Sequence, residues 1–511
     1  MTTSGAAAPQ EAAEQPVSSG YRYYVLAILV FVYMLNFVDR QIIGILAAPL
    51  KQEFQLSDSQ FGLLGGIAFA SVYSTLAIPL AWLADRTSRV WIMTGALTVW
   101  SGFTALCGVA GSFSQLFLFR MGVGVGEAGG VAPAYSLIAD YFPPNQRARA
   151  MAAFAFGIPL GTAGGTLIGG LLAAQYGWRT AFIAVGVIGV LVAPILRLTV
   201  RDPKRGGTDA AAKAANPAAE VVTPTPLVPM DDGLGRKVAL AAFGIAAGMA
   251  LLAGLSLGGV GAANPLIPTF GAGLFVVIGV SLLIARRTGS VIMRKKSFWL
   301  LSLGAASSSV CGYGVAGWLP LFFMRSFDLT LSQVSWYYAG IALIGGLLGI
   351  WLGGSVADKL ARRSKGAYPL VPAVAFIISA PCFILAMNSP WLIGLLPGGG
   401  GSRALALVVA FLIFLIPTGL NLAWLGPVTA AVQHLAPAPM RSTASATFLL
   451  INNLLGLAVG FFYFGWMSDL LRPTFGEESL RWAIYTGMGF YLLSSVLLFG
   501  ASRTLKKDWV D

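Results

Sequence analysis

The stretch AWLADRTSR, residues 81–89, places an aspartate and two arginines directly after a long apolar run. A second stretch of the same kind, GGSVADKLARR, follows another apolar run at 353–363. The spacing aligns Asp85, Arg86 and Arg89 with Asp358, Lys359 and Arg362. The segment LSDSQ at 56–60 recurs as LTLSQ at 329–333 with the same offset. A repeat of this kind predicts two similar halves with a binding site between them.

The amino-acid composition predicts an all-α membrane protein with many spanning helices. Of the 511 residues, 57% are hydrophobic and 10% are charged, against about 25% charged residues in soluble domains. Apolar runs of about 20 residues, each long enough to cross about 30 Å of hydrocarbon, recur along the chain. The net charge of +13 does not indicate a nucleic-acid partner, because the basic residues lie in short loops between these runs.

The apolar runs predict fourteen membrane spans, six in each half and two between the halves. The N-terminal half, 22–200, has predicted spans at 22–48, 58–83, 89–110, 114–140, 148–173 and 179–199. The C-terminal half, 288–503, has them at 297–324, 332–357, 368–388, 404–433, 442–468 and 481–502. Residues 238–287 predict an extra transmembrane hairpin. Two surface helices are the weaker alternative, because both runs are apolar on every side.

The remaining segments predict two tails and a linker on the cytoplasmic side, of which the N-terminal tail and the linker are expected to be disordered. They are a tail at 1–21, a linker at 201–237 and a tail at 504–511. With this arrangement few basic residues fall on the opposite side, namely Lys51, Arg179, Arg325, Arg403, Arg472 and Arg481. Because cytoplasmic loops are enriched in Lys and Arg, both termini are expected on the cytoplasmic side. The richness in Ala and Gly, with short loops, indicates a bacterial inner membrane.

The paired acidic–basic loops resemble the signature loop of the major facilitator superfamily, whose members have two six-helix halves. Three further stretches, NFVDRQ at 36–41, RMGVGVGEAGG at 120–130 and PMRSTASATFLLINNLLGLAVG at 439–460, resemble its spinster-like branch. The resemblance implies a transporter, not an enzyme. That branch is associated with the export of lysolipids and sphingolipid-like amphiphiles. Asp85 and Asp358 are expected to pair with arginines at a neighbouring helix end and to latch one conformation.

Four charged residues, Asp39, Arg40, Arg120 and Glu127, lie deep inside the first and fourth predicted spans. A charge at the centre of a bilayer costs at least roughly 2.5–3.5 kcal/mol, so such residues indicate a binding or ion-coupling site. The resemblance implies that both spans line the transport path. Pairing Asp39 with Arg120 and Arg40 with Glu127 would leave no buried charge unpaired.

The carboxylates are predicted to carry protons and the guanidinium groups to bind the substrate. Glu127 and Asp39 would change their affinity for a proton if their partners were exchanged between conformations. Arg40 and Arg120 are predicted to bind an anionic head group, because guanidinium groups match phosphate and carboxylate. The alternatives are a static salt-bridge network and an Arg40 that only balances the charge of Glu127.

The second half supplies no charged counterparts for these four residues. The repeat places other residues at the equivalent positions, namely Gly312, Tyr313, Phe414 and Asn421. Tyr313, Asn421 and the nearby Trp424 are therefore predicted to form an aromatic and amide wall of the substrate site. A cavity with one charged wall and one such wall suits an amphiphile with its charged head near Arg40.

Glycines at 157, 161, 165 and 169 of the fifth predicted span recur every fourth residue. Glycines at this spacing share one helix face and let a second membrane helix approach closely. The pattern therefore predicts a tight helix pair, with a hinge as a further role.

The sequence therefore predicts a proton-coupled secondary transporter of an amphipathic, lipid-like substrate, working as a monomer in the lipid bilayer. A symporter of small organic anions, an energy-independent facilitator and a non-transporting sensor are the alternatives. The sequence contains no nucleotide-binding loop, metal cluster or catalytic triad, so no cofactor and no metal are expected.

Overall fold

The structure, a computed structural model, describes residues 18–203, 205, 292, 294–395, 402–436 and 441–510. These residues are almost entirely helical and contain no strand. The predicted hairpin at 238–287 lies outside the described residues, as do most of the predicted linker and N-terminal tail. We call residues 18–205 the first segment and residues 292–510 the second segment.

The first segment contains ten α-helices. In chain order they are α1 Ser19–Ile45, α2 Ala47–Phe54, α3 Asp58–Gly62, α4 Ala68–Arg86, α5 Arg89–Cys107, α6 Phe113–Glu127, α7 Val131–Tyr141, α8 Pro144–Ala155, α9 Gly157–Tyr176 and α10 Trp178–Thr199. A π-helical turn at Leu63–Ile67 joins α3 to α4, so these three elements follow one another without a loop.

The second segment contains nine α-helices. They are α11 Lys296–Ser326, α12 Leu331–Ala361, α13 Ala367–Met387, α14 Ser389–Gly394, α15 Arg403–Asn421, α16 Leu425–Gln433, α17 Arg441–Asn453, α18 Gly460–Phe475 and α19 Ser479–Asp508. A second π-helical turn, Leu454–Val459, joins α17 to α18, and a short 3-10 turn, Gly476–Glu478, precedes α19.

Within the described residues, nine helices are long and apolar enough to cross a membrane. A tenth is counted if Asp58–Ser74 and Pro79–Arg86, which are bent by 44° relative to one another, form one span. One of the nine, Thr447–Asp508, has 62 residues and includes the turn Gly476–Glu478 between α18 and α19, so it is longer than one crossing. The predicted total of fourteen is therefore not reached by the part of the chain that the structure describes.

Several predicted spans are broken in the structure. The span predicted at 114–140 is divided between α6 and α7, because the sequence GEAGG at 126–130 places three glycines at the junction. Glycine is a poor helix former, costing about 1 kcal/mol relative to alanine. At the chain ends the helices are longer than predicted. Helix α1 begins within the predicted tail, where the Ser18 side chain caps it, and α19 continues to Asp508.

The glycine row of α9 packs directly against α1. A methyl group at Gly161 would collide with the Met34 carbonyl oxygen and the Phe37 side chain, and one at Gly165 would collide with Val38. Gly157 and Gly169 contact α1 in the same way, against Tyr33 and Ile42. The close approach predicted from the four-residue spacing is present, and it fixes the helix that carries Asp39 and Arg40.

The two π-helical turns contact one another across the two segments. A methyl group at Gly66 would lie 2.9 Å from the Ala458 carbonyl oxygen and 3.1 Å from that of Leu457. Single π-helical turns inside α-helices are frequent at functional sites. Here they bring the backbone of the chain before α4 against the backbone before α18.

Candidate substrate and proton site

The charged residues of α1 and α6 meet in the interior of the first segment. The Arg40 Nε donates a hydrogen bond to the Glu127 Oε2 at 2.8 Å, and the Glu127 side chain is fully buried. Glu127 is the last residue of α6, where the glycine-rich break begins. The predicted pairing of Arg40 with Glu127 is therefore present in the structure.

Aromatic rings surround the guanidinium group of Arg40. Its central carbon lies 4.6 Å from the ring centroid of Tyr73 and 5.1 Å from those of Phe37 and Phe69. A cation over an aromatic face gains about 0.5–2 kcal/mol, with the larger value in dry surroundings. Arg40 is the most accessible of the four charged residues, with a side chain that is 11% exposed.

The predicted pairing of Asp39 with Arg120 is wrong for this arrangement. The Arg120 Nη1 donates to the main-chain oxygen of Asp39 at 3.2 Å, and the guanidinium group packs over Phe69. The Asp39 carboxyl instead lies beside Trp100 and Thr104 of α5. Arg120 is 1% exposed, so it does not reach a substrate here.

The Asp39 carboxyl is therefore a buried acid that forms no ion pair within the described residues, although the Arg120 charge acts on it. The residue is 2% exposed, and its Oδ1 has no hydrogen-bond partner. The reason is directional: consecutive helical side chains point about 100° apart, so Asp39 cannot follow Arg40 towards α6. This asymmetry between the two carboxylates could not be read from the sequence, which fixes their spacing but not their partners.

Of the residues predicted in the second segment, Tyr313 reaches the charged group. It is half-buried and lies close enough to Arg40 to interact with it electrostatically. The Asn421 Oδ1 accepts a hydrogen bond from the Tyr491 hydroxyl at 2.9 Å, and its amide packs on Gly312. Within the described residues, Asn421 makes no hydrogen bond to any of the four charged residues.

Trp424 also packs within the second segment. It is 6% exposed and meets Phe448 edge to face, with 6.1 Å between the ring centroids. The structure therefore brings one of the three predicted wall residues to Arg40, and leaves Asn421 and Trp424 engaged elsewhere.

The two predicted latch loops differ from one another. Arg89 is buried and forms ion pairs with Asp140 and with Asp202, the latter at 2.7 Å. It also donates to the Ser136 hydroxyl at 2.9 Å and to the Pro203 carbonyl oxygen at 2.7 Å. All of these partners belong to the first segment.

The ion pairs predicted for the aspartates of the two loops are not formed in this arrangement. In the described part of the chain neither Asp85 nor Asp358 forms an ion pair. Asp85 is half-buried beside Arg86, which is exposed. The residues of the second loop, Asp358, Lys359 and Arg362, are all exposed. The reason is that the first-loop arginine, Arg89, takes its carboxylates from the end of α7 and from the chain after α10.

A charged cluster that the sequence analysis missed joins the two segments at the ends of α1 and α11, the predicted outer side. The fully buried Asp58 carboxylate binds Lys51, accepts bonds from Arg325 at 3.1 and 3.2 Å, and accepts one from the Ser468 hydroxyl at 2.7 Å. We call this group the Asp58 cluster, formed by Lys51, Asp58, Ser59, Arg325, Ser468 and Asp469.

A second carboxylate of the cluster binds the beginning of α3. Asp469 accepts from the main-chain N–H groups of Asp58 at 3.1 Å and Ser59 at 2.7 Å, and from the Ser59 hydroxyl at 2.5 Å. A carboxylate is favourable at a helix N-terminus, where N–H groups lack helical partners. Burial lowers the pKa of the Lys51 amine, and the negative charge of Asp58 opposes that shift.

One sequence signal could have identified this cluster. In the repeat, LSDSQ has Asp58 where LTLSQ has Leu331, so a charge stands where the other copy is apolar. Lys51 and Arg325 were recognised only as basic residues of outer loops. Their common partner became visible only when the fold placed α3 beside α11 and α18.

Apolar helices of membrane-spanning length around buried charges are the architecture of a secondary transporter. Comparison with known proteins identifies the family. The family model of the Major Facilitator Superfamily matches residues 29–461, and the chain belongs to this superfamily of transporters. The resemblance predicted from the paired loops is confirmed.

Similar proteins include transporters of the spinster branch. An MFS-type efflux pump of Mycolicibacterium smegmatis is 28% identical over 95% of this chain and 94% of its own length. Human protein spinster homolog 1 is 27% identical over 90% of this chain and 76% of its own length.

The fold is also similar to solved structures of a bacterial homolog of the human lysosomal transporter spinster. The inward-facing, unoccupied form aligns with a TM-score of 0.70 at 28% identity, covering 97% of this chain and 99% of that chain. The inward-facing, occupied form aligns with a TM-score of 0.68 at the same identity and coverage. The predicted spinster-like resemblance is confirmed by both comparisons.

Proposed function

We propose that this protein is a proton-coupled secondary transporter that works by alternating access and moves an amphipathic, lipid-like substrate. The Asp39 carboxyl, which is buried without an ion pair near Arg40 and Glu127, carries the proposal. Burying a carboxylate charge without a partner is costly, so a bound proton stabilises this arrangement. Glu127 is the second proton site, because separation from Arg40 would change its affinity for a proton.

Alternating access is supported by where the two segments touch. The Asp58 cluster binds them together at the predicted outer side, and Trp318 packs beside Phe61 and Phe461 at the same level. The similar spinster structures are described as inward-facing. We therefore assign this arrangement to a state that is closed outside, with the two segments acting as the halves that move.

The substrate assignment is supported by the surroundings of Arg40. Its guanidinium group is fixed among aromatic rings and remains partly accessible, which suits a phosphate or carboxylate head group. Tyr313 faces it from the second segment. Gly312 and Phe414, which occupy the positions equivalent to Asp39 and Arg120, offer no polar side chain to a small organic anion. An apolar tail fits this environment better than a second polar end.

The remaining assignments follow from the same proposal. We propose that both termini lie in the cytoplasm and that the protein lies in a bacterial inner membrane. Residues 238–287 are proposed to form an extra hairpin. Arg89 is proposed to hold the latch of the first segment through Asp140 and Asp202. The second loop, with Asp358 and Arg362, is proposed to engage only in the opposite conformation.

The test is flux of a labelled lysophospholipid in proteoliposomes, with and without an imposed pH gradient. Wild type, Asp39→Asn and Glu127→Gln are compared, with Glu477→Gln as a matched control because Glu477 is an exposed surface acid. We expect gradient-driven flux in wild type and in the control. Both site variants should lose the dependence on the gradient.

Each other outcome contradicts a different part of the proposal. Flux that ignores the gradient in wild type would indicate a facilitator. Gradient-driven uptake of small organic anions without lysophospholipid flux would contradict the substrate class. Verified folded protein without flux of either substrate would indicate a non-transporting sensor.

A further inference from the structure

A proline in α11 leaves one main-chain carbonyl without its helical partner. In an α-helix the carbonyl of residue i accepts from the N–H of residue i+4, and proline has no N–H. Pro320 lies inside α11, so the carbonyl oxygen of Ala316 lacks the N–H donor that residue 320 would otherwise supply. Such a group needs another donor, because an unsatisfied backbone polar group inside a membrane costs several kcal/mol.

Two side chains donate to this oxygen, one from each segment. The Gln41 Nε2 donates from α1 at 3.0 Å, and the Tyr338 hydroxyl donates from α12 at 3.1 Å. A carbonyl oxygen has two lone pairs and can accept both bonds. The Tyr338 bond lies within the second segment, whereas the Gln41 bond joins the two segments.

Gln41 is held in place from both sides. One turn further along α1, a methyl group at Gly44 would lie 2.9 Å from the Gly317 carbonyl oxygen, so α1 and α11 touch closely there. On the opposite side, a methyl group at Gly165 of α9 would lie 3.2 Å from the Gln41 Cβ. Gln41 itself is 7% exposed.

We propose that Gln41 is the positioning residue that couples the charged group of α1 to closure of the two segments. It follows Arg40 directly in the chain, so a shift of α1 on proton or substrate binding moves the Gln41 amide. The bond to Ala316 forms in the outer-closed state and breaks when the segments separate. This inference rests on the alternating-access transport proposed above.

Tyr338 lowers the energetic cost of breaking the bond between Gln41 and Ala316. When the Gln41 bond breaks, the Tyr338 hydroxyl still donates to the Ala316 carbonyl, so this backbone group does not become unsatisfied in the membrane. The second donor therefore lowers the cost of opening. A carbonyl bound only by Gln41 would hold the outer-closed state more firmly.

The experiment is a double-mutant cycle of Gln41→Leu and Pro320→Ala. Alanine at position 320 restores an N–H that can bind the Ala316 carbonyl within α11, which makes Gln41 dispensable for it. The population of the outer-closed state is measured by double electron–electron resonance, which gives the distance between spin labels at residues Gln52 and Thr474. Both label positions are exposed, and the native cysteines are replaced by alanine.

We expect Gln41→Leu to lower the ratio of outer-closed to outer-open protein about two- to tenfold, the value of one hydrogen bond. In the Pro320→Ala background the same substitution should change that ratio much less. Tyr338→Phe should raise the outer-closed ratio, because the carbonyl then depends on Gln41 alone.

The inference is overturned if Gln41→Leu lowers the ratio equally in both backgrounds, or leaves it unchanged in a wild type that alternates. A wild type that shows one distance under every pH and substrate condition would contradict alternating access itself. The distance measurement therefore separates failure of the coupling role from failure of the proposed function.

Discussion

The Asp58 carboxylate and the Arg325 guanidinium group form an ion pair between residues 267 positions apart in the chain, with bonds of 3.1 and 3.2 Å. Asp58 begins α3 of the first segment, and Arg325 lies in the last turn of α11 of the second. The pair must separate if the predicted outer side is to open. Its strength therefore helps to set the balance between the two states.

Removing Arg325 should shift the protein towards the outer-open state. Hydrogen bonds to charged groups contribute about 1.5–3 kcal/mol, and Lys51 continues to balance the charge of Asp58 in an Arg325→Ala variant. We expect the ratio of outer-closed to outer-open protein to fall about ten- to a hundredfold, measured by the spin-label distance described above.

The control for this prediction is Arg472→Ala. Arg472 is an exposed outer-side arginine whose only ion pair in the described chain, with Glu477, is at 3.5 Å. The distance distribution of this variant should match that of wild type. An Arg325→Ala variant with an unchanged distribution would show that the Asp58 cluster does not govern closure.

Replacing Arg40 by lysine should weaken substrate binding while retaining the positive charge. A lysine ammonium cannot lie flat on the rings of Tyr73 and Phe69 as a guanidinium group does. The loss of about 0.5–2 kcal/mol of cation–π energy predicts an affinity for lysophospholipid that is about two- to thirtyfold lower.

Binding of labelled lysophospholipid to the purified protein measures this affinity directly. Arg179→Lys is the matched control, because Arg179 packs over Trp178 on the surface, away from the site. A head group bound elsewhere would leave the affinity of the Arg40→Lys variant equal to that of the control.

The glycine row of α9 allows a test with two neighbouring positions. A methyl group at Gly161 collides with the Met34 carbonyl oxygen, whereas one at Gly164 meets only the Val38 side chain at 3.7 Å. Overpacking costs about 1–3 kcal/mol, so Gly161→Ala should lower the thermal unfolding midpoint in detergent. Gly164→Ala should keep or raise it, because alanine is the better helix former. Equal midpoints would argue against tight packing of α1 on α9.

The sequence predicted the helical class and the glycine-mediated helix pair, because both depend on local periodicity. The Arg40–Glu127 contact was predicted from the need to pair buried charges. Four-residue spacing places glycines on one face wherever the helix lies. The partners of Asp39 and Asp58 depend on how separate helices rotate about their axes, which one sequence does not encode locally. The Gln41 bond could be predicted only in part. Pro320 shows in the sequence that the carbonyl four residues earlier lacks its helical donor, but only the fold shows which side chain donates to it.

The two copies of the acidic–basic loop should respond differently to the same substitution. Arg89 is 1% exposed and is bound by Asp140, Asp202 and the Pro203 carbonyl oxygen. Removing one partner of a buried ion pair costs about 3–5 kcal/mol. Arg89→Ala should therefore lower the thermal unfolding midpoint strongly and reduce the amount of folded protein in the membrane.

The repeat supplies the matched control, Arg362→Ala, at the equivalent position of the second loop. Arg362 is exposed, so this variant should retain the unfolding midpoint of wild type. Its transport rate should nevertheless fall if the second loop engages in the opposite conformation, because that state would lose a contact. Equal destabilisation by both substitutions would show that the loops are equivalent and that the asymmetry between Arg89 and Arg362 does not reflect a division of roles.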